Sequence, residues 1–168
     1  KKVSKVASFL KKNKYDYLFI TAPENVAWLL NIRGHDSPTS PIPNSNLLIT
    51  KEKHVFLIVE KNKTSKLLNE KKLKQQQIVE PKYILNFFNR LKKGTILIDE
   101  KTCSLYFEKL IEKKFRITKK EDPIYILKSI KNNIEIKNMI NAHVIDGVAL
   151  TKFIYWIKNL KKLNITEV

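Results

Sequence analysis

Residues 46–59, Asn46-Leu47-Leu48-Ile49-Thr50-Lys51-Glu52-Lys53-His54-Val55-Phe56-Leu57-Ile58-Val59, decide the fold. Two apolar, β-branched runs flank the polar triplet Lys51-Glu52-Lys53. That pattern reads as a hairpin with both strands largely buried, the antiparallel part of a sheet. Upstream, Val3, Val6, Ala7 and Leu10 follow helical spacing, and Tyr17-Leu18-Phe19-Ile20 forms a short buried-strand pattern. Thr21 and Glu24 have the spacing of a capping box, with Pro23 tolerated in the first turn. This predicts a short helix from Thr21 to near Gly34. From Gly34 to Ser45, Pro38, Pro41 and Pro43 exclude both helix interior and central strand.

Downstream, helices and strands alternate. A polar helix is expected around Lys63 to Lys74, a strand at Gln77-Ile78-Val79, a helix from Pro81 to Lys92 stopped by Gly94, and a strand at Thr95-Ile96-Leu97-Ile98. A helix from Ser104 to Lys113 and a strand at Phe115-Arg116-Ile117-Thr118 follow, and Asp122-Pro123 ends the alternation. The fold class is therefore α/β, a mixed β-sheet flanked by helices. After a connecting segment near Pro123 to Lys128, apolar residues recur at three- and four-residue steps from Ile136 to Ile157. They predict one long helix from about Asn132 to Lys161. A small α/β domain cannot cover such a helix, so the expected domains are 1–125 and 126–168.

The 168 residues carry a net charge of +17 and are 43% hydrophobic, enough for one packed core. The charge invites a nucleic-acid reading, since clustered cations release phosphate counterions. Only Arg33, Arg90 and Arg116 are arginines, however, and the lysines scatter through every segment, whereas base readout leans on the arginine fork. No specific nucleic acid is expected. No membrane is expected either, because no apolar run approaches the roughly 18 residues a spanning helix needs. With no secretory signal pattern, the chain reads as soluble and cytoplasmic. Cys103, the one cysteine, lacks a CxxC partner and reads as a small residue near a helix start.

No HExxH, HxH, GxGxxG or P-loop motif is present. Asp99-Glu100 and Glu121-Asp122 read as solvated turn acids. His35 reads as a surface histidine, His54 as structural, and Arg33 with Asp36 as a local ion pair shaping a loop. His143 is placed differently, on the apolar stripe of the long helix with Asp146 three positions on and within reach at one helical turn. Spacing alone leaves a core histidine and a catalytic one both open.

The run Ala22-Pro23-Glu24-Asn25-Val26-Ala27-Trp28-Leu29-Leu30-Asn31-Ile32-Arg33-Gly34-His35-Asp36, followed by Pro41, resembles the middle domain of the three-domain Xaa-Pro aminopeptidases of the creatinase/prolidase-like group. A second match joins Lys131 to Leu150 with Trp156 and Ile165-Thr166-Glu167. The resemblance implies a creatinase N-terminal-like domain followed by the first long helix of a truncated pita-bread catalytic domain. It implies a parent hydrolase that removes the N-terminal residue preceding proline from peptide substrates, using two divalent metal ions, commonly manganese. It places all five metal ligands beyond Val168, so this fragment should bind no metal or cofactor and be inactive alone. His143 matches the histidine of the family's Ala-His-x-x-Asp motif, which implies a catalytic role. Trp28, Asn31, Arg33, Gly34 and Asp36 match a signature that shapes the middle domain. An uncovered long helix suggests self-association. A non-catalytic α/β interaction or regulatory module, or a basic nucleic-acid-binding domain, are the alternatives.

Overall fold

A computed structural model describes residues 1–160; Lys161 and Ile165-Thr166-Glu167 lie outside the described residues. The chain divides into two compact units, Lys1–Lys128 and a second beginning at Ser129.

The first unit is built on a six-stranded mixed sheet. Its strands are β1 (Tyr17–Ile20), β2 (Asn46–Thr50), β3 (Val55–Ile58), β4 (Ile78–Val79), β5 (Thr95–Ile98) and β6 (Arg116–Lys119), in the order β4-β3-β2-β1-β5-β6. The expected hairpin is there, Leu48 facing Phe56 across antiparallel β2 and β3. β1 pairs antiparallel with β2 on one side and parallel with β5 on the other, so the first strand in sequence ends up central. Side-chain alternation splits it between two cores. Leu18 and Ile20 pack with Val6, Leu10, Val26 and Leu29 from helices α1 (Lys2–Lys12) and α2 (Pro23–Leu30). Tyr17 and Phe19 pack on the other face with Phe88, Leu110 and Ile111 from α4 (Ile84–Arg90) and α5 (Leu105–Glu112). Helices cover both faces, which is why the central strands are apolar throughout instead of alternating.

Several boundaries differ from the sequence reading. Thr21 caps nothing: its hydroxyl meets that of Thr102 at 2.9 Å, α2 starts at Pro23, and Ala22 stands at its N-cap. The helix stops at Leu30 rather than near Gly34, because Asn31 turns left-handed at φ 52°. The polar helix expected over Lys63 to Lys74 shrinks to α3 (Ser65–Asn69) between two 3₁₀ turns, Lys61–Lys63 and Gln75–Gln77. It has no buried residue, so packing adds nothing to a short, weakly nucleated helix. Gly94 is not a helix stop. The turn leaves α4 at an extended Leu91, and a Cβ on Gly94 would lie 2.5 Å from Asp16 Oδ2. The expected connector after Pro123 is α6 (Ile124–Ser129), anchored by fully buried Ile124.

In the second unit, α7 (Asn133–Lys158) is 26 residues long, about 39 Å at 1.5 Å per residue. The Asn132 carboxamide accepts from the Ile134 and Glu135 amides, and Glu135 Oε2 accepts from Asn132 N at 2.8 Å. This reciprocal capping box fixes where α7 starts. None of its residues is buried. Its apolar residues are not confined to the expected stripe, since Val144, Ile145, Val148 and Tyr155 lie on other faces and are exposed. A helix apolar all round is one whose sequence suits full burial.

Candidate functional site

Three groups of residues carry chemistry: the loop after α2, the polar cluster at the ends of β1 and β5, and His143 on α7.

The loop over 31–45 is fixed by close approach. A Cβ on Gly34 would fall 2.5 Å from Pro43 Cα, and Gly34 N donates to Pro41 O at 3.1 Å. Arg33 and Asp36 do not pair, contrary to the sequence reading. Arg33 Nη1 donates to Ile32 O, whereas Asp36 accepts from Asn44 N at 2.7 Å and from Lys63 Nζ at 2.6 Å. Those donors, Lys63 foremost, hold the Asp36 carboxyl below the usual carboxylate range. Trp28 is half-buried, with Lys2 Nζ 4.0 Å from its ring centroid. These residues shape a loop end, and His35 stands exposed beside them.

Of the four acids read as solvated, Glu100 and Glu121 are exposed, but Asp99 is 4% and Asp122 2% exposed. Asp99 Oδ2 accepts from Asp122 N, and Asp122 accepts from Ile124 N and from Asn25 Nδ2 at 2.8 Å. Asn25 Oδ1 in turn accepts from Lys128 Nζ at 2.8 Å, and Tyr125 donates to Glu24. Burial pushes the Asp122 carboxyl up, against the pull of its hydrogen bonds, and pushes Tyr125 to about 12 with help from Glu24. Among the described residues no buried side-chain nitrogen or oxygen lacks a partner. The network ties α2 to α6, with every buried side-chain polar atom in it paired. Sequence reasoning missed it; the signal was Asn25, a polar residue on the inward face of an otherwise apolar helix.

Cys103 is half-buried just ahead of the Ser104 cap of α5, and burial pushes its thiol up to about 11, the environment of an unreactive thiol.

His143 is exposed on α7, where it shares a shallow groove with Ala142, Ile145, Asp146 and Ala149. Its Nδ1 lies 2.8 Å from Met139 O. A carbonyl only accepts, so Nδ1 is the donor in this contact and, in the neutral ring, Nε2 is the acceptor nitrogen. The reach from Asp146 expected from spacing is not made: no hydrogen bond or ion pair joins the two among the described residues. Among the described residues no three His, Cys, Asp or Glu side chains come together as a metal site. No described helix is long and apolar enough to cross a membrane.

Residues 1–135 match the family model of the creatinase/prolidase N-terminal domain. A Xaa-Pro aminopeptidase of Drosophila melanogaster is 33% identical over 95% of this chain and 26% of its own length. Xaa-Pro aminopeptidase 1 of Dictyostelium discoideum is 33% identical over 94% of this chain and 25% of its own. The chain thus spans about a quarter of the length of these relatives. Among solved structures, the X-prolyl aminopeptidase of Caenorhabditis elegans, described as a cytosolic enzyme with a di-nuclear active site, superposes with TM-score 0.76 at 23% identity, over 94% of this chain and 26% of that one. The prolidase of Pyrococcus horikoshii superposes with TM-score 0.65 at 23% identity, over 96% and 43%.

Proposed function

Because the chain belongs to the creatinase/prolidase N-terminal domain family, we propose that it is the α/β domain and first catalytic-domain helix of a Xaa-Pro aminopeptidase. That enzyme is a cytosolic hydrolase that removes the N-terminal residue preceding proline. One observation carries the reading: similarity to Xaa-Pro aminopeptidases runs through both units, over 94–95% of the chain. The domain division falls near residue 125.

A two-metal centre, manganese in this reading, does not fit the described residues, which bring no three ligands together. The contribution of this chain to the chemistry is His143. With Nδ1–H tied to Met139 O, its Nε2 is a lone-pair acceptor held in one tautomer. In the neutral ring that nitrogen can take a proton from a substrate group and return it. Asp146 is not positioned to orient it and is assigned no step.

The test uses the complete enzyme. His143→Ala should lower turnover about 10²- to 10⁴-fold, the range of lost general acid–base help, with metal content unchanged. His143→Asn keeps a donor but cannot titrate, and should not restore the rate. Unchanged turnover per folded, metal-loaded enzyme would remove His143 from the chemistry. Titrating manganese into this 168-residue chain should show no stoichiometric site; a saturable ion site would overturn the domain assignment.

A further inference from the structure

Away from these residues, β4 and α4 enclose a groove of about 480 Å³ in the first unit, a volume within the range of small-molecule sites. Its apolar part combines Ile78 and Val79 of β4 with three aromatic rings. Phe56 and Phe87 pair with centroids 5.1 Å apart, and Tyr83 presents a ring that is 52% exposed. Its rim is cationic, with Lys61 on one 3₁₀ turn and Arg90 at the end of α4. Neither side chain makes an ion pair or hydrogen bond among the described residues. The one acid in the groove, Glu80, is already matched by Lys82 Nζ at 3.3 Å. The amide side chains of Gln75, Gln76 and Asn86 add further donors.

We propose that this groove binds a small anion carrying a planar ring, of the mononucleotide class. The aromatic residues supply a face for the ring. Arg90, one of only three arginines in the chain, supplies the planar fork that grips an oxyanion two atoms at a time, and Lys61 adds a point charge. The net charge of +17 concentrates anions around the whole molecule, but only a site that also holds the ring distinguishes this ligand from free phosphate. An added peptide strand fits less well although β4 is at the sheet edge. The strand has two residues, and the 3₁₀ turns Gln75–Gln77 and Pro81–Tyr83 flank it, leaving no extended ladder to pair with.

The experiment is a ¹⁵N NMR titration of the 168-residue chain with AMP, and separately with adenosine and with inorganic phosphate. AMP should give saturable shifts confined to residues 56–61 and 75–90. Adenosine and phosphate should each bind at least about tenfold more weakly, since each keeps one half of the recognition. Arg90→Glu and, independently, Lys61→Glu should each weaken AMP about tenfold or more while leaving resonances outside the groove in place. Either variant that stays folded suffices. Phosphate binding as tightly as AMP would overturn the role of the ring. Shifts scattered over surface lysines, no saturation, or AMP affinity unchanged in a folded variant would overturn the site itself.

Discussion

Asp16 occupies a turn where three segments meet. It accepts from Lys51 Nζ at 2.5 Å and from Thr95 N at 2.8 Å, and Gly94 leaves just enough room for it. Partial burial pushes its carboxyl up, but these donors outweigh burial and bring it below its ordinary value of 3.8. A lowered folded-state value means the stabilisation is present above about pH 4 and is lost as pH falls through the folded value. Asp16→Ala should therefore cost roughly 1–3 kcal/mol in urea unfolding at pH 7 and flatten the acid limb of the stability profile. Asp122 has the opposite sign: a raised value stabilises most below 3.8 and contributes less as pH rises through the folded value. Even so, Asp122→Asn should destabilise by about 1–3 kcal/mol at pH 7, because its new NH2 would face either Asn25 Nδ2 or the Ile124 amide and leave a buried donor unpaired in both orientations. A neutral or stabilising result in the same unfolding experiment would show that relief of the buried charge dominates. At this scale the sequence was least legible. Whether an acid is solvated or buried depends on Asn25, which lies 97 positions from Asp122, and no local pattern joins them.

Within the first unit the elements were legible in proportion to how much of their sequence faces a core. β1, β2, β3 and β5 consist mostly of buried residues in short, largely apolar runs and could be read almost to the residue. The segment over 61–77 could not, since it buries little and its charges fit helix and turn alike. Phe19 shows what the legible part is worth. It is 1% exposed and meets Phe88 and Phe107 edge-on at 5.5 and 5.2 Å. Phe19→Ala should cost about 3–5 kcal/mol, read from the shift in urea midpoint at constant slope. In the loop after α2, Gly34→Ala must push Pro43 backbone aside and should lower stability measurably, whereas the same change at Gly147, where a Cβ meets nothing within 4 Å, should not. That contrast is checked by thermal unfolding of the two variants side by side.

For the molecule as a whole, the charge of +17 is carried almost wholly by lysines, and exposed ion pairs such as Lys66–Glu70 and Lys101–Glu121 are worth little each. Any binding to DNA should fall steeply between low and physiological salt, and a fluorescence titration retaining nanomolar affinity at physiological salt would contradict this. The architecture was readable because helix and strand periods alternate along the chain; the strand order was not, since nothing local tells β1 to take the centre. That central position has a kinetic consequence. β1, β2 and β3 are joined by antiparallel pairings close in sequence, whereas β5 reaches β1 only after the chain has closed a loop from Ile20 to Thr95. Loop closure is the slow, entropically opposed event in assembling such a sheet. The meander β1–β3 is the natural nucleus, with β5 and β6 docking after the barrier. Conservative truncations in β2 should therefore slow refolding, with φ-values well above those in β6, whose variants should mainly hasten unfolding.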